Sequence, residues 1–191
     1  MSRTVTRAPW TWRFLRRPVT RFFDRVAPGW DARYASNPER LMALSAALDL
    51  LPAAPQRVLD VGTGTGAGAL LMAERWPDGE VTGIDVAPAM IEIARSKTHD
   101  PRVSFLVADV ATLDPGAGYD LVVLLNMPPF FEQMARLLCP GGHLVSVASR
   151  GPTTPFYVPA STLARGFERQ GLETVGDATV GPGTYYLARR P

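Results

Sequence analysis

From residue 57 onward the chain alternates short apolar runs with helical segments, and this alternation restricts the fold more than any other feature. The runs are RVLDV (57–61), EVTGID (80–85), RVSFLVAD (102–109), YDLVVLL (119–125) and HLVSVAS (143–149). Helices are expected over 67–76, over 88–97 with Pro88 at its start, and over 129–139, closed by Pro140-Gly141-Gly142. A last helix over 161–170 ends at Gly171 and precedes two strands, 173–180 and 183–189. Apolar strands separated by helices build a parallel sheet covered on both faces. The glycine-proline linker between the last two strands is short enough for a hairpin, which adds an antiparallel edge.

The residues before the alternation behave differently. NPERLMALSAALDLLP places Asn37 as a helix N-cap and Pro38 at the first helical position, with Leu41, Leu44, Leu48 and Leu51 as one apolar stripe. Further upstream, seven arginines face only Asp24 within the first 25 residues, a net +6, while the remaining residues sum to −4. The basic character therefore lies in the N-terminal segment and not in the body, the reverse of a nucleic-acid-binding body. Pro9 and Pro18 are expected to interrupt any long helix there. Residues 1–36 are read as a basic, aromatic arm or cap and residues 37–191 as the main domain. The arm either lies on the body and buries Trp10, Trp12, Phe14, Phe22 and Phe23, or meets a membrane surface or another anionic partner.

With 191 residues, 46% hydrophobic and 20% charged, one domain with a substantial core is expected. No apolar run approaches bilayer length, and no apolar segment follows the basic N-terminus as in a secretory signal. Cys139 is the single cysteine. A reducing, cytoplasmic setting follows as the default, and no cysteine-histidine cluster points to a metal. Oligomeric state is not legible.

VLDVGTGTG (58–66) places glycines at every second position just after the first strand. Ligands of such sheets bind at the carboxyl ends of the strands. Gly62, Gly64 and Gly66 remove Cβ atoms where backbone must come close to a ligand. Asp60, Asp85 and Asp109 close the first three strands on the same sheet edge. A carboxylate after the second strand suits a ribose diol, and one after the third can accept from an adenine amino group. Asp60 puts negative charge beside the position a pyrophosphate would need, which favours a cationic ligand.

VLDVGTGTG, VTGIDVAPAM, VSFLVADV, YDLVVLL and LLCPGGHLV, in this order and spacing, resemble a class I S-adenosylmethionine-dependent methyltransferase over about residues 40–190. The resemblance implies a three-layer sandwich with a Rossmann-like, seven-stranded, mostly parallel sheet of order 3-2-1-4-5-7-6. It implies S-adenosyl-L-methionine as cofactor, with Gly62, Gly64 and Gly66 along its methionine and ribose parts and Asp60 facing the methionine ammonium. Asp85 would take the ribose hydroxyls, Val86 and Met90 the adenine faces, and Asp109 with the Val110 amide the adenine edge. Thr63 lies within the turn, and Asn126 would border both the methionine end and the acceptor. FFDRVAPGWDARY (22–34) is similar to the opening segment of quinone-biosynthesis methyltransferases, so that Trp30, Asp31 and Tyr34 would close over the cofactor.

Methyl transfer from a sulfonium mainly needs alignment and exclusion of water, and a base only where the nucleophile must lose a proton. His99, His143 and Cys139 fall on the edge away from the glycine turn and are rejected as bases, so no catalytic residue is assigned. NMPPF (126–130) is close to an Asn-Pro-Pro-aromatic motif, but Met127 separates Asn126 from Pro128; the simpler reading is a helix with Pro128 and Pro129 in its first turn. Trp30, Tyr34, Asn126, Phe130 and Tyr157 are candidates for an acceptor pocket, with Phe156 beside them. The expected activity is methyl transfer to a small-molecule acceptor, with no nucleic-acid partner. The competing readings are an NAD(P)-dependent oxidoreductase and a non-catalytic cofactor-binding regulator or scaffold.

Overall fold

The computed structural model describes Thr6, residues 8–34 and residues 38–191. Seven strands form one sheet: β1 (Arg57–Val61), β2 (Glu80–Asp85), β3 (Val103–Val107), β4 (Tyr119–Leu125), β5 (Leu138–Ala148), β6 (Glu173–Val180) and β7 (Gly183–Arg189). Their order is 3-2-1-4-5-7-6, as expected. β1 pairs in parallel with β2 and β4, and β7 runs antiparallel to both β5 and β6.

The helices are α1 (Trp12–Val26), α2 (Trp30–Tyr34), α3 (Met42–Leu48), α4 (Ala67–Arg75), α5 (Pro88–Arg95), α6 (Phe131–Leu137) and α7 (Ala160–Glu168). Alternate residues of the central strands feed two cores, because side chains on a strand point to opposite faces. Leu59, Val61, Val122 and Leu124 meet α6 and α7 on one face, together with Trp12 of α1. Val58, Leu121 and Val123 meet α3, α4 and α5 on the other. The stripe expected on the 38–51 segment is real: Leu44 and Leu48 are buried in this second core, with Leu41 and Leu51 packed against it. Asn37, the expected cap, lies outside the described residues. Among the described residues no helix is long and apolar enough to cross a membrane.

Three expectations are corrected. Pro18 does not interrupt the arm but sits inside the fifteen-residue α1. A proline there removes the amide that would bond the Phe14 carbonyl, at a cost of about 3 kcal/mol. The helix persists because its inner stripe is packed: Trp12, Leu15 and Val19 on the first core, Phe23 and Val26 against Ala87 and Met90. Second, the 129–139 helix is only Phe131–Leu137, and β5 already begins at Leu138. Arg190 explains the early stop: its guanidinium takes the Ala135 and Leu138 carbonyls, and its backbone pairs with Gly141 and Gly142. Third, Pro128 and Pro129 lie in irregular backbone before α6, not in its first turn.

Candidate cofactor and acceptor site

A cavity of about 280 Å³ opens at the carboxyl ends of β1 to β5, where β1 and β4 separate the two halves of the sheet. In open α/β sheets this switch in strand order is where ligands sit. Of the expected residues, Asp60, Gly62, Thr63, Gly64, Asp85, Val86, Met90, Asp109, Val110 and Asn126 line it, as does Trp30 from α2. Gly66, Phe130 and Tyr157 do not. The side chain of Tyr34 lies outside the described residues.

The glycines of the turn serve different ends. All three have left-handed φ, between +55° and +88°. A Cβ on Gly64 would meet nothing within 4 Å, so its bare backbone faces open cavity. A Cβ on Gly62 would strike the Met127 sulfur, and one on Gly66 the Phe105 ring at 2.8 Å. Gly66 therefore permits α4 to pack on β3 and does not line the cavity as expected. Phe130 is core: it is buried edge-on against Trp12. Tyr157 faces a separate hollow beside β7, and its neighbour Phe156 reaches the cavity instead.

Over β1 to β3 the cavity wall is acidic and rigid. Asp60 is 1% exposed; its Oδ2 accepts from the Thr63 hydroxyl at 2.7 Å, and its Oδ1 is buried with no hydrogen-bond partner. Burial disfavours the charged form and pushes the carboxyl up to about 6, against the pull of Thr63 and the Ala69 amide. Asp85 accepts from the Gly64 amide at 3.0 Å and the Ala87 amide at 2.9 Å, tying the glycine turn to the start of α5. Burial raises this carboxyl too, with those amides opposing. Two hydrogen bonds leave acceptor capacity on Asp85, since an ionised carboxylate offers about four sites.

Asp109 has partners that local sequence does not reveal. The Trp12 indole donates to its Oδ1 at 2.9 Å, the Ala111 amide to the same oxygen at 3.0 Å, and Arg16 to its Oδ2 at 3.2 Å. The arm is further held where Asp24 accepts from the Ala89 amide, at the start of α5, and where Asp31 accepts from Thr65 and pairs with Lys97. The roof of the cavity is thus Trp12, Val19, Phe22, Phe23 and Trp30, with Arg33 and Arg40. An apolar stripe at 12, 15, 19 and 23, at helical spacing, was the available signal for this face.

Over β4 and β5 the wall is made by loops. Asn126 is the one non-glycine among the described residues with positive φ, at 57°. Its side chain is locked to Ser149, accepting from that amide at 2.9 Å and donating to its hydroxyl at 2.9 Å. Met127, Pro128, Arg150, Thr154, Pro155 and Phe156 complete this half. Ser149, Arg150 and Thr154 were not singled out from sequence: the 149–159 loop was placed on this side of the sheet, but only its aromatics, Phe156 and Tyr157, were taken as candidates. His99, His143 and Cys139 lie outside it.

An acid-lined glycine turn at the switch point of a 3-2-1-4-5-7-6 sheet defines a nucleoside-binding α/β protein. Comparison with known proteins narrows this. Residues 58–142 match the family described as "Methyltransferase domain". The chain is 30% identical over 167 residues to the ubiquinone/menaquinone biosynthesis C-methyltransferase UbiE of Syntrophotalea carbinolica, covering 81% of this chain and 69% of that protein. It is 39% identical over 136 residues to the demethylmenaquinone methyltransferase of Thermus thermophilus, covering 64% and 62%. The structure of N-methyltransferase NodS from Bradyrhizobium japonicum WM9, in complex with S-adenosyl-L-homocysteine, superposes with a TM-score of 0.71 at 22% identity, over 90% of this chain and 98% of that one. The chain belongs to the class I S-adenosylmethionine-dependent methyltransferase family. It spans between 36% and 62% of the length of the first curated relatives it matches.

Proposed function

We propose that the chain binds S-adenosyl-L-methionine over β1 to β3 and transfers its methyl group to a small-molecule acceptor held over β4 and β5. The observation that carries this reading is the buried, unpartnered Oδ1 of Asp60 on the cavity wall. A buried carboxylate oxygen without a partner is costly, and a cationic ligand group satisfies it. The open backbone at Gly64 and the spare acceptor capacity of Asp85 then face a ribose, and Val86 and Met90 give apolar surface for a purine.

The cofactor supplies a methyl activated by positive sulfur. The protein's part is to align, enclose and dry the site. Asp60 and Asp85 fix the cofactor half, and the Asn126–Ser149 lock holds the β4 end where the two halves meet. The arm residues roof both, which supports reading residues 1–36 as a cap on a domain of residues 37–191. A nicotinamide dinucleotide fits this wall less well, since its pyrophosphate would lie near the Asp60 carboxylate.

The acceptor half couples apolar walls (Trp30, Met127, Pro128, Phe156) with the guanidinium groups of Arg33 and Arg150. That chemistry suits a largely apolar acceptor carrying a negative charge, which brings its own nucleophile and is seated by Arg150. Cys139, bonded to Asp120 and not to another cysteine, fits a reducing, cytoplasmic setting. The test is twofold. Melting should rise with S-adenosyl-L-homocysteine and not with NAD(H). Labelled methyl should move from S-adenosyl-L-methionine to anionic apolar acceptors in preference to their neutral esters. Stabilisation by NAD(H) alone overturns the cofactor assignment; tight cofactor binding with no transfer to any acceptor class favours the regulator or scaffold.

A further inference from the structure

The outer face of α1 is unlike the rest of the surface. Its inner stripe packs on the body or roofs the cavity, yet Trp10 just before it and Phe14 within it are 64% and 62% exposed. The two rings meet edge to face at 6.4 Å, and the Arg13 guanidinium lies 4.5 Å over the Phe14 ring. Arg17, Arg21 and Arg25 follow at intervals of four, all exposed, and none makes a hydrogen bond or ion pair with a described residue. The helix's single acid, Asp24, is turned inward to the start of α5, so no carboxylate interrupts this row.

The same face continues into an open groove of about 440 Å³ between α1 and the edge strand β3. Arg16, Arg17 and Arg21 form one bank, and Val86, Val107 and Ala108 the other. Val107 and its neighbour Leu106 are 49% and 46% exposed. The one acid in the groove, Asp109, is already paired with Arg16 and Trp12.

We propose that this face docks on a membrane surface bearing anionic phospholipids. Charge complementarity selects the occupant: an uninterrupted arginine row needs anions, and exposed Trp10, Phe14 and Val107 need an apolar layer directly beneath them. A bilayer interface offers phosphates and acyl chains at those two depths, and amphipathic helices with arginine and tryptophan lie in it this way. A nucleic-acid backbone would take the arginines but leaves Val107 in water. Docking here also brings Phe22, which is exposed and lines the cavity, to the membrane side. The docking does not depend on the methyltransferase reading.

The test is co-sedimentation of the full chain with phosphatidylcholine vesicles, with and without phosphatidylglycerol. Binding should be at least tenfold tighter with the anionic lipid and should weaken as salt is raised. R17E/R21E should lower it at least tenfold. W10A/F14A should lower it about as much and abolish the blue shift of tryptophan fluorescence on binding. All four side chains are exposed and lie outside the cavity, so melting temperature and S-adenosyl-L-homocysteine affinity should stay at wild-type values in both variants. Equal partition onto neutral and anionic vesicles, or none onto either, contradicts the proposal. So does binding to a single-stranded oligonucleotide that displaces vesicles and is insensitive to W10A/F14A.

Discussion

The two halves of the cavity are built on different principles. Over β1 to β3 the wall is strand ends, backbone amides and buried carboxylates, fixed by sheet register and by the Gly64–Asp85 and Thr63–Asp60 bonds. Over β4 and β5 it is loop side chains. The arm roofs both halves and is bonded at a few points, all on the first: Trp12 and Arg16 on Asp109, Asp24 on α5, Asp31 on Thr65 and Lys97. The first half is preorganised for one ligand; the second offers side chains that can vary without disturbing the sheet. A rigid half for the proposed cofactor beside an adaptable half for the proposed acceptor would let one fold serve many acceptors.

The sharpest way to break this contrast is in the rigid half. Asp85→Ala removes the acceptor that ties the glycine turn to α5 and the proposed ribose contact. Affinity for S-adenosyl-L-homocysteine by titration calorimetry should fall on the order of a hundredfold, as expected for losing two hydrogen bonds to a charged group. Asp85→Asn should recover part of it. Unchanged affinity in Asp85→Ala would remove the basis for assigning that half.

Asp60 makes a prediction about the ligand-free protein. Folding raises its carboxyl from 3.8 to about 6, so the native state holds a proton that the unfolded chain has released. Stability from this group is present in acid and is lost as pH climbs from about 4 to about 6, a total on the order of 3 kcal/mol. Denaturant midpoints across pH 4 to 7 should show that decline, and Asp60→Asn, which cannot ionise, should reduce it to the part that the raised Asp85 carboxyl contributes.

Much of the rigid half was legible in the chain. The limits of β1, β2, β4, β6 and β7 coincide with the apolar runs, and Asp60, Asp85 and the glycines sit where local pattern places them. The readings that missed share a cause, which is contact between distant residues. Pro18 reads as a helix breaker until the body packs on α1. Pro140-Gly141-Gly142 reads as a stop until Arg190 pairs with it. Asp109 reads as a free carboxylate until Trp12, 97 positions earlier, donates to it. Phe130 and Tyr157 have the right chemistry for a pocket, and only tertiary packing turns them elsewhere.

Smaller effects belong to the adaptable half and to the arm. Arg150→Ala should raise KM for an anionic acceptor about tenfold, near the 1.4 kcal/mol of one charge-assisted contact, with kcat little changed. An equal drop in kcat would place Arg150 nearer the reacting atoms than a seating role allows. Smallest is the arm latch. Trp12→Phe keeps the packing on Phe130 but deletes the indole donor to Asp109, and should cost about 1 kcal/mol in thermal unfolding while speeding proteolysis within α1. No change in either would mean that the latch contributes nothing to holding the roof.

The central claim is that a cationic ligand group meets the Asp60 carboxylate. The affinity of wild-type protein and of Asp60→Asn for S-adenosyl-L-homocysteine, measured from pH 5 to 8, tests it most directly. Binding to the charged carboxylate must release its proton below about pH 6. Wild-type affinity should therefore tighten with rising pH, up to tenfold per unit, and level off above 6, while Asp60→Asn binds more weakly with only the shallower slope that Asp85 leaves. A wild-type profile flat across that range, or one that Asp60→Asn reproduces, contradicts the account.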